Sequence, residues 1–394
     1  MAPRRHHRRA SAPQSRLPHG KVAHMSRVDL HHIAWSKIVP AGHRFDLADS
    51  AVSTPDLEAL GLPHRVELPR AGRATAALEE LLARRLSAPG GRVMVTAGAS
   101  EANACVFFAM LSPGDEVLVE SPGYEPHRAV PRLIGAHMAT FERPEARGFS
   151  GFTEALERAL RPTTRLVVVS HLHNPSGAPL GPEDIEALDR LAERNGFWVL
   201  CDETFRDASP LPLGTLAAGR PRWISTSSLT KSYGLGDLRV GWVAGAPEVL
   251  ERCEVVQNAL SVIPSQPSVV LALALGPHLD TLRARTRQVL ERHRARWEAA
   301  LARRGQLNGG TAEPWCPVPS QGTTSWCRFA GEGKGDEFAE FALERFDLAV
   351  TPGRFFGDSR GIRVGLGPEE SIFSAAMVEL ERALAEFAAV PTVR

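Results

Sequence analysis

Lysine is scarce in this chain: its 394 residues include only Lys21, Lys37, Lys231 and Lys334, against 42 arginines. Lys231 stands among hydroxyls and glycines in SSLTKSYGLGDLRVGW, residues 227–242. A surface charge at that place could be arginine, as it is almost everywhere else. A residue that must lose its proton and attack a carbonyl could not, because guanidinium keeps its proton in proteins while an amine's pKa moves with its surroundings. Lys231 is therefore the first candidate for covalent chemistry. Other chemistry-bearing residues follow apolar runs: Ala99, Ser100 and Glu101 after VMVTAG, Tyr124 after VLVESP, Asn174 in HNPSG after LVVVSHLH, and Asp202 in DETFRD after WVLC. Ser228 and Thr230 precede the lysine, Arg239 follows it, and Arg363 lies in IRVGLG.

These residues need a scaffold that brings them together. GRVMVTAG, DEVLVESPGY, TRLVVVSHLHNPSG, FWVLCDET, PRWISTSSLTK and LRVGWVAG read as strands, with SEANACVFFAML and PEDIEALDRLAERNG as helices between them. Continuous Val-rich runs alternating with helices predict a mostly parallel sheet covered on both faces, an α/β domain over 46–270. Ligands of such sheets bind beyond the carboxyl ends of the strands, where the residues above fall. After 270 the texture changes. Leu279, Leu282, Thr286, Val289, Leu290, His293, Trp297 and Leu301 share one face of a long helix. The strands FDLAVTP and GIRVGLG and the closing helix IFSAAMVELERALAEFAA complete a smaller α+β domain, 271–394. Residues 25–45 read as an arm packing on that domain or on a partner subunit. Residues 1–24, basic and rich in proline, read as a disordered tail or an over-long gene start with Met25 the initiator.

Composition narrows the function. A formal net charge of +1 leaves no basic surplus for nucleic acid, and no stretch has the length of a membrane span. The five cysteines form no C-x-x-C pair, so neither a zinc ribbon nor a disulfide framework is expected, and a reduced cytoplasm fits. His171 and His173 lie two apart, but with no third ligand no metal is expected. GEGKGDE around Lys334 lacks the spacing of a phosphate-binding loop and reads as a solvated turn.

Singly, each candidate has a plain structural reading: Asp202 a helix cap, Asn174 a turn residue, Tyr124 core, the arginines surface. Jointly they suit one ligand, a flat heteroaromatic ring bearing a phosphate, a phenolate oxygen, a ring nitrogen and an aldehyde. That ligand is pyridoxal 5'-phosphate. HNPSG, DETF, SLTKSYGLGDLRVGW and IRVGLG, in this order, resemble the class I/II aminotransferases, the fold type I pyridoxal-phosphate enzymes, from FDLADS to the C-terminus. The resemblance implies that fold, a homodimer, and amino-acid and 2-oxo-acid substrates. It implies that Lys231 forms the Schiff base and shuttles the proton. Asp202 would pair with the ring nitrogen, Asn174 with the ring oxygen, and Tyr124 would stack on the ring. Ser228, Thr230, Arg239 and the amides of Ala99 and Ser100 would hold the phosphate, and Arg363 the substrate's α-carboxylate.

The chain departs from the pattern three residues after Asp202. Phe205 occupies the place of a tyrosine that donates to the ring oxygen, and Tyr124 and Tyr233 are the only tyrosines in the chain. A second family tyrosine, reaching the phosphate from the neighbouring subunit, is missing near ELPRAG. Asp237 stands where a small or neutral residue is usual. Phe205 also resembles relatives that do not transaminate, so a lyase, cyclase or oxidase acting on an arginine-derived amino acid is the alternative reaction. A non-catalytic protein on this fold is a third reading, against which the intact Lys231 argues.

Overall fold

The computed structural model describes residues 29–61, 67–69, 72–304 and 314–389. The tail 1–24, the first residues of the arm and part of ELPRAG lie outside the described residues. The chain opens with helix α1 (His31–Ile38), strand β1 (Phe45–Asp46) and helix α2 (Arg73–Leu86). Then come β2 (Val93–Thr96), α3 (Ala99–Met110), β3 (Glu116–Ser121), α4 (Glu125–Ile134), β4 (His137–Glu142), α5 (Thr153–Ala159), β5 (Thr164–Ser170) and α6 (Pro182–Asn195). They are followed by β6 (Trp198–Asp202), β7 (Trp223–Ser228), β8 (Gly241–Ala244), α7 (Pro247–Leu260), α8 (Gln266–Leu275) and α9 (Leu279–Arg303). The chain ends with β9 (Thr324–Arg328), α10 (Lys334–Phe346), β10 (Leu348–Ala349), β11 (Thr351–Pro352), β12 (Gly361–Gly365) and α11 (Glu370–Ala389).

Seven strands form one sheet in the order β2-β8-β7-β6-β5-β3-β4, in which β8 alone runs against its neighbours. Strand periodicity divides the Val-rich runs between two cores. Val117, Val119, Leu166 and Val168 face α3 and α7, while Leu118, Val167, Val169 and Val199 face α5 and α6. Each fully buried Val or Leu side chain adds roughly 1.5–3 kcal/mol of transfer free energy. Runs apolar on both faces therefore have no stable place except the middle of such a sheet. Because β2, β3, β5, β6 and β7 run the same way, Thr96, Ser121, Ser170, Asp202 and Ser228 end on one edge.

Two small sheets complete the fold, β11-β12-β9 antiparallel and β1-β10 parallel. Leu47 and Val52 join Leu290, Trp297, Ile362, Val364, Phe373 and Leu380 in their core. Between them, residues 47–53 run as a strap tied on both sides. Gly365 N donates to Leu47 O at 2.6 Å, Ser53 N to Gly367 O at 2.7 Å and Val52 N to Lys231 O at 3.1 Å. The glycines of IRVGLG make this approach possible: a Cβ on Gly365 would stand 2.0 Å from Asp49 O, and one on Gly367 2.0 Å from Ala51 O.

One expectation from the cysteines is corrected. Cys316 and Cys327 are bonded to one another, their Cα atoms 4.3 Å apart. Trp315 bridges to Arg328 across antiparallel backbone, which sets the neighbouring cysteines face to face. Spacing along the chain could not reveal that hairpin. Cys105, Cys201 and Cys253 are free and buried.

Candidate active site

Asp202 ends β6 with its carboxylate buried and held by three donors, which leaves an acceptor position on Oδ1. Its Oδ2 accepts from Asn103 Nδ2 at 2.9 Å and from His127 Nε2 at 3.1 Å, and its Oδ1 from the Thr204 amide at 3.0 Å. Thr226 Oγ1, opposite Asp202 on β7, donates to Asn103 Oδ1 at 2.6 Å and so aims the amide's NH₂ at the carboxylate. Burial pushes the Asp202 pKa up, but the bonds from His127, Thr204 and Asn103 outweigh it and hold the carboxyl below its usual range. An anion kept charged in a dry place is what a protonated ring nitrogen requires. Tyr124 caps α4 and sets its ring edge-on to His127, centroids 5.2 Å apart.

Sequence reasoning missed Asn103, His127 and Thr226. For Asn103 the signal was available as helical spacing, since it lies four residues after Ala99, one turn along a helix already placed at a strand end; His127 lies one turn into α4, a helix that was not read from the sequence.

The phosphate candidates gather at the start of α3. Gly98, at φ 88°, precedes the helix, and a Cβ there would stand 2.6 Å from an Arg239 nitrogen. Arg239 reaches back to the Ala97 carbonyl at 3.2 Å. It does so from the left-handed region, φ 51°, which is uncommon for a residue with a side chain. Glu101 turns its carboxylate back onto the Ala97 amide. The amides of Ala99 and Ser100 lie in the first turn, where a helix supplies no acceptor. Ser228 ends β7 opposite Gly241, and Gly241 in turn touches the Gly98–Ala99 backbone. Thr230 follows, its amide donating to Ser228 Oγ at 3.3 Å.

Across the cleft, β12 delivers Arg363. It is 3% exposed and lies with its guanidinium 5.1 Å from the Phe356 ring centroid. It donates to Asn174 Oδ1 at 3.2 Å, Ala48 O at 2.8 Å and Thr351 Oγ1 at 3.2 Å, leaving a buried Nε with no partner. Burial lowers its pKa to about 10, which still leaves it charged at neutral pH. Lys231 Nζ lies 3.3 Å from Asp49 Oδ1, a carboxylate on the strap that sequence reasoning also missed.

Phe205 begins the turn after β6 and is 8% exposed, so a hydroxyl at that place would be sheltered from water. Tyr233 does not supply the absent one, because its hydroxyl donates to Asp207 Oδ2 at 2.6 Å. His173 pairs with Ser176 Oγ and the Pro122 carbonyl, and His171 Nδ1 accepts from the Leu180 amide. Both are thus engaged within the protein. Asp237, exposed, has no structural account. Lys334 opens α10 in an ion pair with Glu337 at 2.6 Å.

The donor set fits pyridoxal 5'-phosphate on its chemistry. A glycine-lined helix start with an arginine suits the phosphate, a buried anion the ring nitrogen, an amide the ring oxygen, and a lone lysine the aldehyde.

Residues 70–377 match the family described as aminotransferase class I and II. Capreomycidine synthase of Streptomyces vinaceus is 33% identical over 301 residues, covering 75% of this chain and 74% of that protein. A probable N-succinyldiaminopimelate aminotransferase of Mycobacterium tuberculosis is 32% identical over 288 residues, 68% of each chain. In fold the chain resembles a pyridoxal-phosphate-dependent aminotransferase from Streptococcus suis, with a TM-score of 0.83 at 22% identity over 92% of this chain and 99% of that one. With a mostly parallel sheet flanked by helices, a smaller α+β unit beside it, and a family match over most of its length, the chain belongs to the class I and II aminotransferases, fold type I enzymes that depend on pyridoxal phosphate.

Proposed function

We propose that the cleft moves an amino group from an amino acid to a 2-oxo acid with the following division of labour. Arg363, backed by Asn174, holds the substrate's α-carboxylate, for which its planar fork and free Nε are suited. Lys231 would be the covalent anchor of the cofactor, then take the proton from the substrate's α-carbon and return it two bonds away, across the nitrogen, at the carbon that was the cofactor's aldehyde. Bound pyridoxal phosphate supplies an electron sink for the pair that the departing proton leaves behind. Asp202 keeps the ring nitrogen protonated, Tyr124 covers the ring, and Ser228, Thr230, Arg239 and the first amides of α3 hold the phosphate. The cofactor's partners then fall within 46–270 and the carboxylate's arginine within 271–394. The observation that carries this reading is the Asp202 carboxylate, which three donors keep charged in a buried place.

A second copy of the chain is part of the proposal. Val255, Leu260, Val262 and Ile263 expose 69%, 57%, 65% and 47% of their surface along α7 and the turn after it, an apolar strip that a homodimer would cover. No described helix is long and apolar enough to cross a membrane.

Purified protein loaded with the cofactor should change its visible absorbance with some members of an amino-acid panel, releasing a 2-oxo acid and converting the cofactor to its amine form. Ammonia release without a 2-oxo acid acceptor would instead support the lyase, cyclase or oxidase reading. That second reading rests on Phe205 and on the similarity to capreomycidine synthase.

Phe205 makes its own prediction. Without a donor to the ring oxygen, the lysine–cofactor linkage should hold its proton to a higher pH than is usual in aminotransferases. Phe205→Tyr should lower that pKa by about one unit, since a hydrogen bond to a charged group contributes about 1.5–3 kcal/mol. A pH titration of the visible absorbance reads the shift. An unchanged titration in the tyrosine variant would count against this account.

A further inference from the structure

Taking the cleft as the substrate site, as above, we propose that Asp49 reads the substrate's side chain and selects one that ends in a positive charge, a guanidinium or an ammonium. Asp49 is placed firmly. Its backbone lies against Gly365, the strap on either side is tied to Gly367 and Lys231, and its Oδ1 accepts the Ala51 amide at 2.9 Å. Its side chain is nevertheless 56% exposed, beside Lys231. Lys231 is its only ion-pair partner among the described residues, and once Lys231 has passed the cofactor to the substrate and stands as a neutral base it no longer supplies that charge. Oδ2 has no partner among the described residues. Arg363 lies near enough to act on the carboxylate, but its donors are turned to Asn174, Ala48 and Thr351, so among the described residues no cation then pairs with Asp49.

The other charges around the cleft are committed. Glu125 accepts the amides of His31 and His32 at 3.1 and 2.8 Å, and Asp46 those of Ala48 and Asp49 at 2.7 and 3.0 Å. Arg128 donates to the carbonyls of Phe355 and Phe356, and Arg285 to Ser53. Arg239 and Arg363 serve the phosphate and the α-carboxylate. Among the described residues no cation remains for a distal carboxylate, while one acid remains for a distal cation.

A second, independent group points the same way. His32 reaches in from α1, stacked on Phe355 with centroids 5.2 Å apart and set edge-on to Tyr124 at 6.0 Å. It is 3% exposed, and its Nδ1 has no partner. Burial, with the charges of Arg363, Lys231 and Arg128, drives its pKa down to about 2, so it is neutral and can accept a hydrogen bond. A donor-rich side-chain terminus is the complement of a carboxylate and a neutral imidazole.

Equilibrium dissociation constants, read from the absorbance of the cofactor-loaded enzyme, test this with pairs that differ chiefly in charge: arginine against citrulline and lysine against norleucine. In at least one pair the charged member should bind about 10- to 100-fold more tightly, the range of one charge-assisted hydrogen bond. In Asp49→Asn that ratio should fall to within about threefold, with the neutral member nearly unmoved, and Asp49→Glu should restore part of it. Equal binding in both wild-type pairs would overturn the proposal whether or not the variants fold. So would an Asp49→Asn variant that weakens both members alike, or glutamate as the tightest ligand, which would mean a cation from a second copy. A panel with no spectral response at all would overturn the proposal together with the transaminase reading beneath it.

Discussion

Lys231→Ala is expected to abolish covalent attachment of the cofactor and to lower kcat by about four orders of magnitude, the upper range for loss of a positioned proton-transfer group. The fold should survive. Among the described residues the lysine's ion pair is with Asp49, at 28% and 56% side-chain exposure, and pairs this open contribute about 0–1 kcal/mol. The bond that ties the strap to this loop uses the Lys231 carbonyl, which any residue supplies. Lys231→Arg sharpens the result. It keeps the charge beside Asp49 but not the ability to lose a proton, so it should be as inactive as the alanine variant. The two variants should show unchanged circular dichroism and melting, no lysine-linked absorbance and no release of a 2-oxo acid. A kcat within about tenfold of the wild type in either would remove Lys231 from the mechanism.

The reason Lys231 could be read from the sequence is that its chemistry excludes the residue the chain otherwise prefers. The sheet was legible for a related reason. Val117–Val119, Leu166–Val169 and Val199–Cys201 are apolar on both faces, and few environments besides a covered parallel strand bury both. Strand β4 carried no such mark. It lies at the sheet's edge and most of its residues are exposed or partly so, leaving HMATFE without a run or a clean alternation.

What stayed hidden at the site depends on tertiary approach. Asp49 is one acid among many until Gly365 and Gly367 bring the strap against β12 and Lys231 meets it. His32 reads as part of an arm until Phe355 stacks on it. The Cys316–Cys327 pair depends on backbone pairing that begins at Trp315, just after a stretch with no strand pattern. In each case the residue types are ordinary and the information lies in contacts between distant segments.

Asp202→Asn should cost less than the loss of Lys231 and be more informative about the ring nitrogen. Three donors converge on the carboxylate, two on Oδ2 and one on Oδ1. An asparagine offers one accepting atom, so its NH₂ must face either Thr204 or the Asn103–His127 pair, donor against donor. That leaves buried hydrogen-bonding groups unpaired, at about 1–3 kcal/mol of stability. The anion opposite the ring nitrogen is lost as well, and kcat should fall by about 10²–10³-fold with KM little changed, the scale of removing one preorganised electrostatic partner. Cofactor attachment at Lys231 should persist, which separates this variant from Lys231→Ala.

His127→Phe separates the electrostatic part from the packing part. The carboxylate stays, but it loses a donor that favours its charged form, so its pKa must rise from its present depressed position. Activity that needs Asp202 ionised is present above that pKa and lost as the pH falls through it. The acid limb of the kcat profile should therefore move to higher pH in His127→Phe, while the plateau stays well above that of Asp202→Asn. A purely structural His127 would lower the plateau and leave the limb where it was. If the limb does not move and Asp202→Asn keeps wild-type kcat, the carboxylate is not the partner of the ring.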